Sequence, residues 1–369
     1  MKKILFAVKD MNVGGVEKSL LSLLNTIDRS LYSVDLLLLE ENGGFLSDIP
    51  EWVNVIISKD YKDIKEEVNI PPILAIKRAF QRRQIIRALS LLIGYVLTKI
   101  TNDYSYYYKK VFSKIEKIES HYDIAISYTS IIEYLTWYVL FSVDADEYIG
   151  WIHFDISKLS FNHKLMKMLH TKMRKIYIVS KEAKKAFINE FPDLEDKCEL
   201  KYNVVDRQNI LKLAAEDNDN IVQDGMITIV TVGRLTKEKG QDIIPEIARK
   251  LKEDGIHFRW YIIGTGGLSS YITEQCKELE LEDEVKLLGM KKNPYVYMKQ
   301  ADIYVQTSIH EGYCITLAEA KVFGMPIVST EFAGAHEQLD ERDDCAVVER
   351  NVQSLVSAIK DAITKIQME

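Results

Sequence analysis

Short apolar runs alternate with longer amphipathic stretches through the first half of the chain. The runs are continuous rather than alternating, which is typical of buried parallel strands. The candidate strands are Ile4–Val8, Val34–Leu39, Val53–Ile57, Ile124–Tyr128, Tyr148–His153 and Ile176–Ser180. Leucines at helical spacing from Leu20 to Leu24 predict a crossover helix after the first of them. This half therefore predicts a parallel sheet built from βαβ units.

A second series of apolar runs begins near Met226 and has the same rhythm. Its candidate strands are Ile227–Val232, Trp260–Ile263, Val285–Leu288, Ile303–Gln306, Ile327–Ser329 and Ala346–Val348. The segment Leu211–Gly225 between the two series is rich in acidic residues and asparagine, which indicates a linker or hinge. The pattern predicts an α/β fold of two doubly wound, Rossmann-like domains.

Composition agrees with a folded chain of two domains. The chain has 369 residues, of which 47% are hydrophobic, and this supports real cores. A net charge of −7 argues against nucleic-acid binding. The four cysteines include no CxxC pair, so we expect neither a zinc ribbon nor a disulfide framework, and a reducing cytoplasm is the simplest location.

The apolar stretches are short for targeting or membrane-spanning segments. Ile4–Val8 is followed at once by Lys9 and Asp10, so we interpret it as a buried strand rather than a signal peptide. The longest stretch, Ala88–Thr98, falls short of the roughly 20 residues that cross a bilayer.

One basic insert, within residues 60–117, breaks the alternation. Its most basic part is Lys77–Lys110, where the only acidic residue is Asp103. The cations are Lys77, Arg78, Arg82, Arg83, Arg87, Lys99, Lys109 and Lys110, and the neighbouring tyrosines are Tyr104, Tyr106, Tyr107 and Tyr108. A basic amphipathic helix beside aromatic residues suits an anionic membrane surface. The alternative is a solvated helix over the first sheet.

A glycine-containing loop follows the first strand of each half. Gly14 and Gly15 open the first helix, where paired glycines let the backbone approach a phosphate; the alternative is a simple tight turn. They lack the GxGxxG spacing of dinucleotide binders, which disfavours NAD. In the second half, Gly233 precedes Arg234 and Lys239 on a strand-to-helix loop. Two cations there can clamp a diphosphate, and the alternative is an ordinary charged loop.

The most informative stretch runs from Glu311 to Glu319, after the strand Ile303–Gln306. Carboxylates accept hydrogen bonds from sugar and ribose hydroxyls, and the start of the following helix can bind an anion. The backbone N–H groups in question belong to Gly312, Tyr313, Cys314, Ile315 and Thr316. The alternative is a pair of surface glutamates.

His153 ends a predicted strand, at the same kind of loop edge. A lone histidine is more often structural than functional. The other histidines and the aspartates show no metal-ligand spacing, so we predict no metal site and no cofactor.

These residues together resemble the family 4 (group 1) retaining glycosyltransferases of the GT-B fold. The motifs match in order along nearly the whole chain, most weakly in the basic insert. They are Gly14-Gly15-x-Glu17, Asn203 to Asp206, Gly233-Arg234-x5-Gly240 with Lys239, Gly264 to Gly267 and Glu311-x7-Glu319. One departure is Cys314, where the family commonly has glycine.

The resemblance implies a role for each matching residue. Arg234 and Lys239 hold the donor diphosphate beside the Gly15 backbone. Glu311 binds the donor sugar, Glu319 binds the ribose, and His153 lies near the reacting sugar. The backbone from Gly312 to Thr316 contacts sugar and phosphate. The remaining donor-binding positions are Gly14, Gly233, Gly264, Gly289 and Met290, the last two in a loop that frames the base.

The resemblance also implies a domain plan and a function. Residues 1–205 form an acceptor-side domain, residues 206–350 a nucleotide-sugar domain facing it across a cleft, and residues 351–369 a helix packing back toward the first domain. The chain is expected to be a hexosyltransferase that uses a UDP-sugar, without metal, to extend a lipid-linked or polysaccharide acceptor of a bacterial capsule or exopolysaccharide. We expect it in the cytoplasm, at the inner face of the plasma membrane.

Two other functions remain open at this point. One is a non-hydrolysing nucleotide-sugar epimerase of the same fold, against which the Glu311-x7-Glu319 spacing and the basic insert argue. The other is a catalytically silent partner subunit, against which the intact Arg234, Lys239, Glu311 and Glu319 argue. Donor turnover by the isolated chain distinguishes the silent subunit from an enzyme.

Overall fold

The computed structural model describes residues 1–216 and 225–368, in two compact units. The units are Met1–Tyr202 and Asn203–Glu369, so the chain divides slightly before the boundary expected after residue 205. The expected linker begins in a helix that ends at Ala214, and its acidic part, residues 217–224, lies outside the described residues.

The first unit is built on a parallel sheet of seven strands. They are β1 (Lys2–Val8), β2 (Tyr32–Leu38), β3 (Asn54–Ile57), β4 (His121–Ser127), β5 (Asp144–Ile152), β6 (Lys175–Ile178) and β7 (Cys198–Leu200). Their spatial order is β3-β2-β1-β4-β5-β6-β7. Every strand predicted for this half forms. The short β7 was not predicted, because Cys198-Glu199-Leu200 contains no apolar run.

Helices follow the strands of this sheet. They are α1 (Gly15–Thr26), α2 (Tyr61–Asn69), α3 (Pro72–Gln81), α4 (Ile85–Thr101), α5 (Ser105–Val111), α6 (Glu133–Ser142), α7 (His163–Thr171) and α8 (Lys181–Glu190). The insert between β3 and β4 consists of α2 to α5. Its inner side chains, among them Leu91 and Tyr107, belong to the same core as Leu37 and Ala125 of the sheet.

The prediction of a basic face on the insert is partly wrong, because several of its cations are paired with glutamates. Arg87 is buried, donates to both carboxylate oxygens of Glu67 and also donates to the carbonyls of Lys110 and Val111. Arg78 and Arg82 both pair with Glu66. Glu66 and Glu67 lie on α2, outside the basic stretch of sequence, and their proximity depends on how the helices pack. Three of the expected surface cations are therefore paired within the protein.

The second unit repeats the architecture with a six-stranded parallel sheet. Its strands are β8 (Ile227–Val232), β9 (Phe258–Ile263), β10 (Val285–Gly289), β11 (Ile303–Gln306), β12 (Ile327–Thr330) and β13 (Ala346–Val348), in the order β10-β9-β8-β11-β12-β13. Its helices are α9 (Arg207–Ala214), α10 (Ile244–Glu253), α11 (Ser269–Glu278), α12 (Tyr295–Gln300), α13 (Ile315–Ala320), α14 (Ala335–Leu339) and α15 (Val352–Met368). Ile229 and Val230 of β8 enter separate cores on opposite faces of the sheet, so the unit is doubly wound as predicted.

The C-terminal helix α15 packs in the core of the second unit. The buried side chains of α15, including Leu355, Ile359 and Ile363, belong to the core of the second unit with Ile229 and Val305. Its apolar stripe covers one face of the second sheet, because β11 to β13 need a helix on that side. The expected packing of this helix toward the first domain stays a prediction.

Candidate functional site

The candidate site of the second unit lies at the carboxyl ends of β8 and β11. These two strands are neighbours in the sheet, but the chain leaves β8 toward β9 on one side and places β12 and β13 on the other. Such a topological switch point opens a crevice beyond the strand ends, where open α/β sheets bind ligands. The loop after β8 carries Arg234 and Lys239, and the loop after β11 carries Glu311.

Lys239 and Glu311 form an ion pair between these two loops. Lys239 Nζ lies 2.5 Å from Glu311 Oε1, and the side chains are only 19% and 9% exposed. Burial acts to lower the pKa of Lys239, but the nearby charge of Glu311 prevails, and the pKa lies above its ordinary value. Lys239 is therefore a firmly protonated cation. Two of the predicted site residues are thus in direct contact.

A chain of hydrogen bonds that starts in β11 orients the Glu311 carboxylate. Tyr304 Oη donates to Gln306 Oε1 at 2.7 Å, Gln306 Nε2 donates to Ser308 Oγ at 2.7 Å, and Ser308 Oγ donates to Glu311 Oε1 at 2.7 Å. Thr330 Oγ1 holds the carbonyl of Ser308 at 2.6 Å. These residues were not predicted from the sequence. The available signal was the buried polar run Gln306-Thr307-Ser308, which begins at the last residue of the apolar strand β11.

Arg234 lies on the same loop as Lys239 but in a different environment. Its side chain is 65% exposed and lies 3.7 Å from Glu238, its partner at i+4. The Arg234 charge acts to lower the pKa of Lys239, which means that the two cations are close enough to interact. The loop therefore presents one buried and one solvent-facing cation.

The turn after Glu311 depends on Cys314. Cys314 has φ +53° and ψ 82°, in the left-handed region that glycine adopts most easily, and it caps α13. Its side chain is buried in the core with Tyr304 and Leu317, with Sγ 3.4 Å from Thr316 Oγ1. Burial raises the pKa of the Cys314 thiol to about 12. The left-handed backbone therefore explains why glycine is common at this position in the family that the sequence resembles.

The same turn carries the other predicted backbone positions. Gly312 is buried, and the carbonyl of Tyr313 accepts a hydrogen bond from Gln338 Nε2. Ile315 and Thr316 begin α13, so the predicted N–H groups lie at the start of that helix.

Glu319 lies farther along α13 and is buried, at 2% exposure. Tyr295 Oη donates to its Oε1 at 2.8 Å. Burial, followed by the charge of Glu319, raises the pKa of the Tyr295 hydroxyl far above its ordinary value, so the hydroxyl stays a donor. Glu319 is therefore a fixed carboxylate rather than a surface glutamate.

Three predicted glycines meet at the ends of β8, β9 and β10. Gly233 N–H donates to Ile263 O at 2.9 Å, and Gly264 N–H donates to Gly289 O at 2.8 Å. A Cβ on Gly264, whose φ is +145°, lies 1.9 Å from the carbonyl oxygen of Gly233, so only glycine fits there. Met290, next to Gly289, is 62% exposed and available to a ligand.

The predicted residues of the first unit lie on its own carboxyl edge. Gly14 caps α1 and Gly15 is its first residue. His153 directly follows β5 and is buried, with its ring centroid 4.5 Å from that of Tyr128, which follows β4. The histidine is thus held among aromatic rings at the edge of the sheet.

A polar groove of about 690 Å³ lies at this edge and was not predicted from the sequence. It is lined by Lys9 and Asp10 after β1, Glu40 after β2, Lys65 on α2 and Arg82 after α3. Lys65 Nζ lies 2.6 Å from Glu40. The residues come from four separate elements, so no single motif indicates the groove.

Neither a metal cluster nor a membrane-crossing helix is found in the part of the chain that the structure describes. Residues 1–216 and 225–368 contain no group of three or more His, Cys, Asp or Glu side chains placed to hold a metal ion. Within the same ranges, no helix combines the length and apolar character needed to cross a bilayer.

The second unit matches a known family model. Residues 214–368 match the glycosyl transferases group 1. Among curated proteins, the chain is 31% identical over 201 residues to an N-acetylgalactosamine-N,N'-diacetylbacillosaminyl-diphospho-undecaprenol 4-alpha-N-acetylgalactosaminyltransferase of Campylobacter jejuni, an alignment covering 54% of this chain and 53% of that protein. It is 30% identical over 142 residues to a putative colanic acid biosynthesis glycosyltransferase, WcaL, of Escherichia coli, covering 36% and 35%. The alignments thus span about half or less of these relatives.

Solved structures extend the likeness in fold to the whole chain. Anabaena Alr3699/HepE in complex with UDP-glucose superposes with a TM-score of 0.67 at 18% identity, covering 100% of this chain and 91% of that one. WaaG, a glycosyltransferase involved in lipopolysaccharide biosynthesis, gives 0.57 at 13% identity, covering 98% and 90%. The predicted fold class and the predicted resemblance to the group 1 glycosyltransferases are confirmed.

Proposed function

We propose, from a second unit that matches the group 1 glycosyl transferases, that this chain transfers a hexosyl group from a UDP-sugar to a glycan acceptor. Every relative named above is a glycosyltransferase, in agreement with the predicted transferase class. The observation that carries the proposal is the Lys239–Glu311 pair at the switch point of the second sheet. It brings together, in one place, a cation for a diphosphate and an acceptor for sugar hydroxyls.

The pair suggests how the donor engages the site. In the structure, Lys239 and Glu311 neutralise each other. An arriving diphosphate attracts Lys239 Nζ and leaves Glu311 free to accept hydrogen bonds from the sugar. Ser308 keeps the carboxylate oriented during this exchange. Phosphate recognition and sugar recognition are therefore coupled through one contact.

The chemistry asks the protein mainly for electrostatic stabilisation. As the glycosidic bond to phosphate breaks, negative charge grows on the departing diphosphate and positive charge grows on the sugar ring. Arg234 and Lys239 stabilise the first, and Glu311 stabilises the second. The leaving phosphate accepts the proton of the attacking acceptor hydroxyl on the same face of the sugar, so the anomeric configuration is retained.

The acceptor belongs to the first unit in this proposal. The groove of about 690 Å³ has polar walls suited to the hydroxyls of a lipid-linked or polysaccharide glycan, and His153 lies at the same edge of the first sheet. The relative from Campylobacter jejuni is named for a diphospho-undecaprenol acceptor, which supports a lipid-linked acceptor. In this proposal the enzyme acts at the cytoplasmic face of the plasma membrane.

The test is a panel of nucleotide sugars with the full chain. We expect UDP and one UDP-hexose to raise the melting temperature. We also expect slow hydrolysis of that donor, and NMR should show that the released sugar initially has the anomeric configuration of the donor. A ligand at 100 times its dissociation constant adds about 2.7 kcal/mol of stability, which such a melt detects. No shift with any nucleoside diphosphate or nucleotide sugar would exclude the proposed donor class, and an inverted product would exclude retention.

A further inference from the structure

Helix α4 buries few of its large aliphatic side chains, unlike an ordinary surface helix. Its buried residues are Leu91 together with Arg87, Ala88, Gly94 and Thr98. Gly94 packs so closely that a Cβ there lies 2.9 Å from the carbonyl oxygen of Tyr106. A helix that stabilises a soluble fold buries its large aliphatic side chains instead.

Apart from the buried Leu91, the large aliphatic side chains of α4 are exposed to solvent. Ile86, Leu89, Ile93, Val96 and Ile100, called here the aliphatic stripe, are all exposed, Ile86 by 87% and Ile100 by 75%. They recur at alternating intervals of three and four positions, so they follow one side of the helix along its whole length. Ile73 and Leu74 at the start of α3 add to the exposed apolar surface of the insert. A continuous apolar surface of this kind marks an interaction site.

The exposed charges of the insert indicate what covers the stripe. Lys77, Lys99 and Lys109 are exposed, while Arg78 and Arg82 are paired with Glu66. From Pro72 to Val111, Asp103 is the single acidic residue in the sequence. A second copy of the chain docked here brings the same cations against each other, because a two-fold contact pairs a surface with itself. A surface with an apolar interior and anionic groups complements both features.

We propose that α4 lies flat in the headgroup boundary of an anionic lipid bilayer, with the aliphatic stripe inserted among the acyl chains. The stripe runs along the helix axis, so the helix inserts parallel to the membrane plane, and the exposed lysines of the insert contact lipid phosphates. This assigns the contact to α4 rather than to the basic face that the sequence suggested. It deepens the location given in the proposed function, and it is tested without donor, so that its failure is separate from failure of the transfer reaction.

The experiment is co-sedimentation of the full chain with vesicles of phosphatidylglycerol and phosphatidylcholine. The test variant is Ile86→Gln/Ile100→Gln, and the matched control is Leu31→Gln/Leu159→Gln, which changes two exposed leucines elsewhere on the first unit. We expect the test variant to bind at least about tenfold more weakly, since each buried methylene contributes appreciably to insertion, and the control to bind as wild type. Lys77→Glu/Lys99→Glu should also weaken binding, and added salt should diminish that difference.

A second measurement covers the case in which the glutamine variant folds poorly. A polarity-sensitive fluorophore on Ile93→Cys should shift to the blue on vesicles, and the same label on Leu31→Cys should not. Failure of wild type to bind these vesicles, or equal binding by the test variant, overturns the proposal. A wild-type dimer that Ile86→Gln/Ile100→Gln converts to monomer, without vesicle binding, assigns the stripe to a second copy and equally overturns it.

Discussion

Lys239 Nζ contacts Glu311 Oε1 at 2.5 Å, across the two loops that leave adjacent strands of the second sheet. Two residues 72 positions apart in the sequence thus meet as one buried charge pair. Separating the pair leaves a charge without its partner in a poorly solvated place. The pair therefore has both a structural and a chemical role, and the first predictions separate them.

Lys239→Met should reduce both stability and transfer. Removing the cation leaves Glu311 uncompensated, at a cost of roughly 2–4 kcal/mol, somewhat below that for a fully buried pair. The double variant Lys239→Met/Glu311→Gln removes both charges and should recover much of the melting temperature while remaining inactive. If the double variant melts no higher than Lys239→Met, the uncompensated charge of Glu311 is not what lowers the stability of the single variant.

Arg234→Ala should reduce transfer without changing stability. Its side chain is 65% exposed and its contact with Glu238 is long, so little is lost in the folded protein. Loss of a charge-assisted contact to the leaving diphosphate should lower kcat by about 10²–10³. Steady-state kinetics with the donor, beside a thermal melt, measures both. Normal turnover by Arg234→Ala removes this residue from the mechanism.

Glu319 should discriminate the ribose of the donor. Its carboxylate is fixed by Tyr295, which favours a binding role over a part in bond breaking. Glu319→Gln should raise the donor KM by about tenfold with a smaller effect on kcat. Wild type should prefer the ribose donor over its deoxyribose analogues, and the variant should lose that preference. A variant that retains the preference shows that other groups hold the ribose.

Several parts of the fold were predictable because one physical signal determines each of them. Apolar runs such as Ile227–Val232 identified buried strands, and the motif around Glu311 identified the loop after β11. The groove of the first unit was not predictable, because Lys9, Glu40 and Lys65 come from separate elements and meet only after folding. The ion pairs of Glu66 and Glu67 were missed for the same reason.

The choice of which face of α4 is buried shows another limit of sequence patterns. Periodicity in its sequence predicts an amphipathic helix, but an apolar stripe does not itself state whether it faces a core or an outer surface. In the folded chain, Gly94 allows close approach to α5 on one side, and the aliphatic stripe is left outside. Packing of the neighbouring helices, rather than hydrophobicity alone, decided which side was buried.

Cys314→Gly should be more stable than Cys314→Ala by about 1 kcal/mol, because a left-handed conformation is unfavourable for any residue with a Cβ. Both variants lose the thiol and its contact with Thr316, so their difference isolates the backbone effect at φ +53°. Paired thermal melts measure it, with donor KM as a second readout of the loop. Equal stability of the two variants contradicts a strained turn.

His170 should make the first unit sensitive to mild acid. Burial lowers the pKa of His170 to about 4, and its ring nitrogens contact Met166 O and Ser130 Oγ. The unfolded chain, with an ordinary histidine pKa near 6.5, therefore binds more protons than the folded chain between pH 6.5 and 4. Stability from this group is complete above about pH 6.5 and falls by up to roughly 3 kcal/mol as the pH drops to about 4.

The non-titrating variant His170→Gln should flatten the fall in melting temperature over this pH range, although its melting temperature at neutral pH is lower because the ring packs against Phe187. His163→Gln is the matched control, since His163 lies on the same helix but is exposed, and it should leave the slope as in wild type. The slope, rather than the absolute melting temperature, carries the test, because loss of packing lowers stability equally at every pH. An unchanged slope in His170→Gln means that carboxylates elsewhere account for the acid sensitivity.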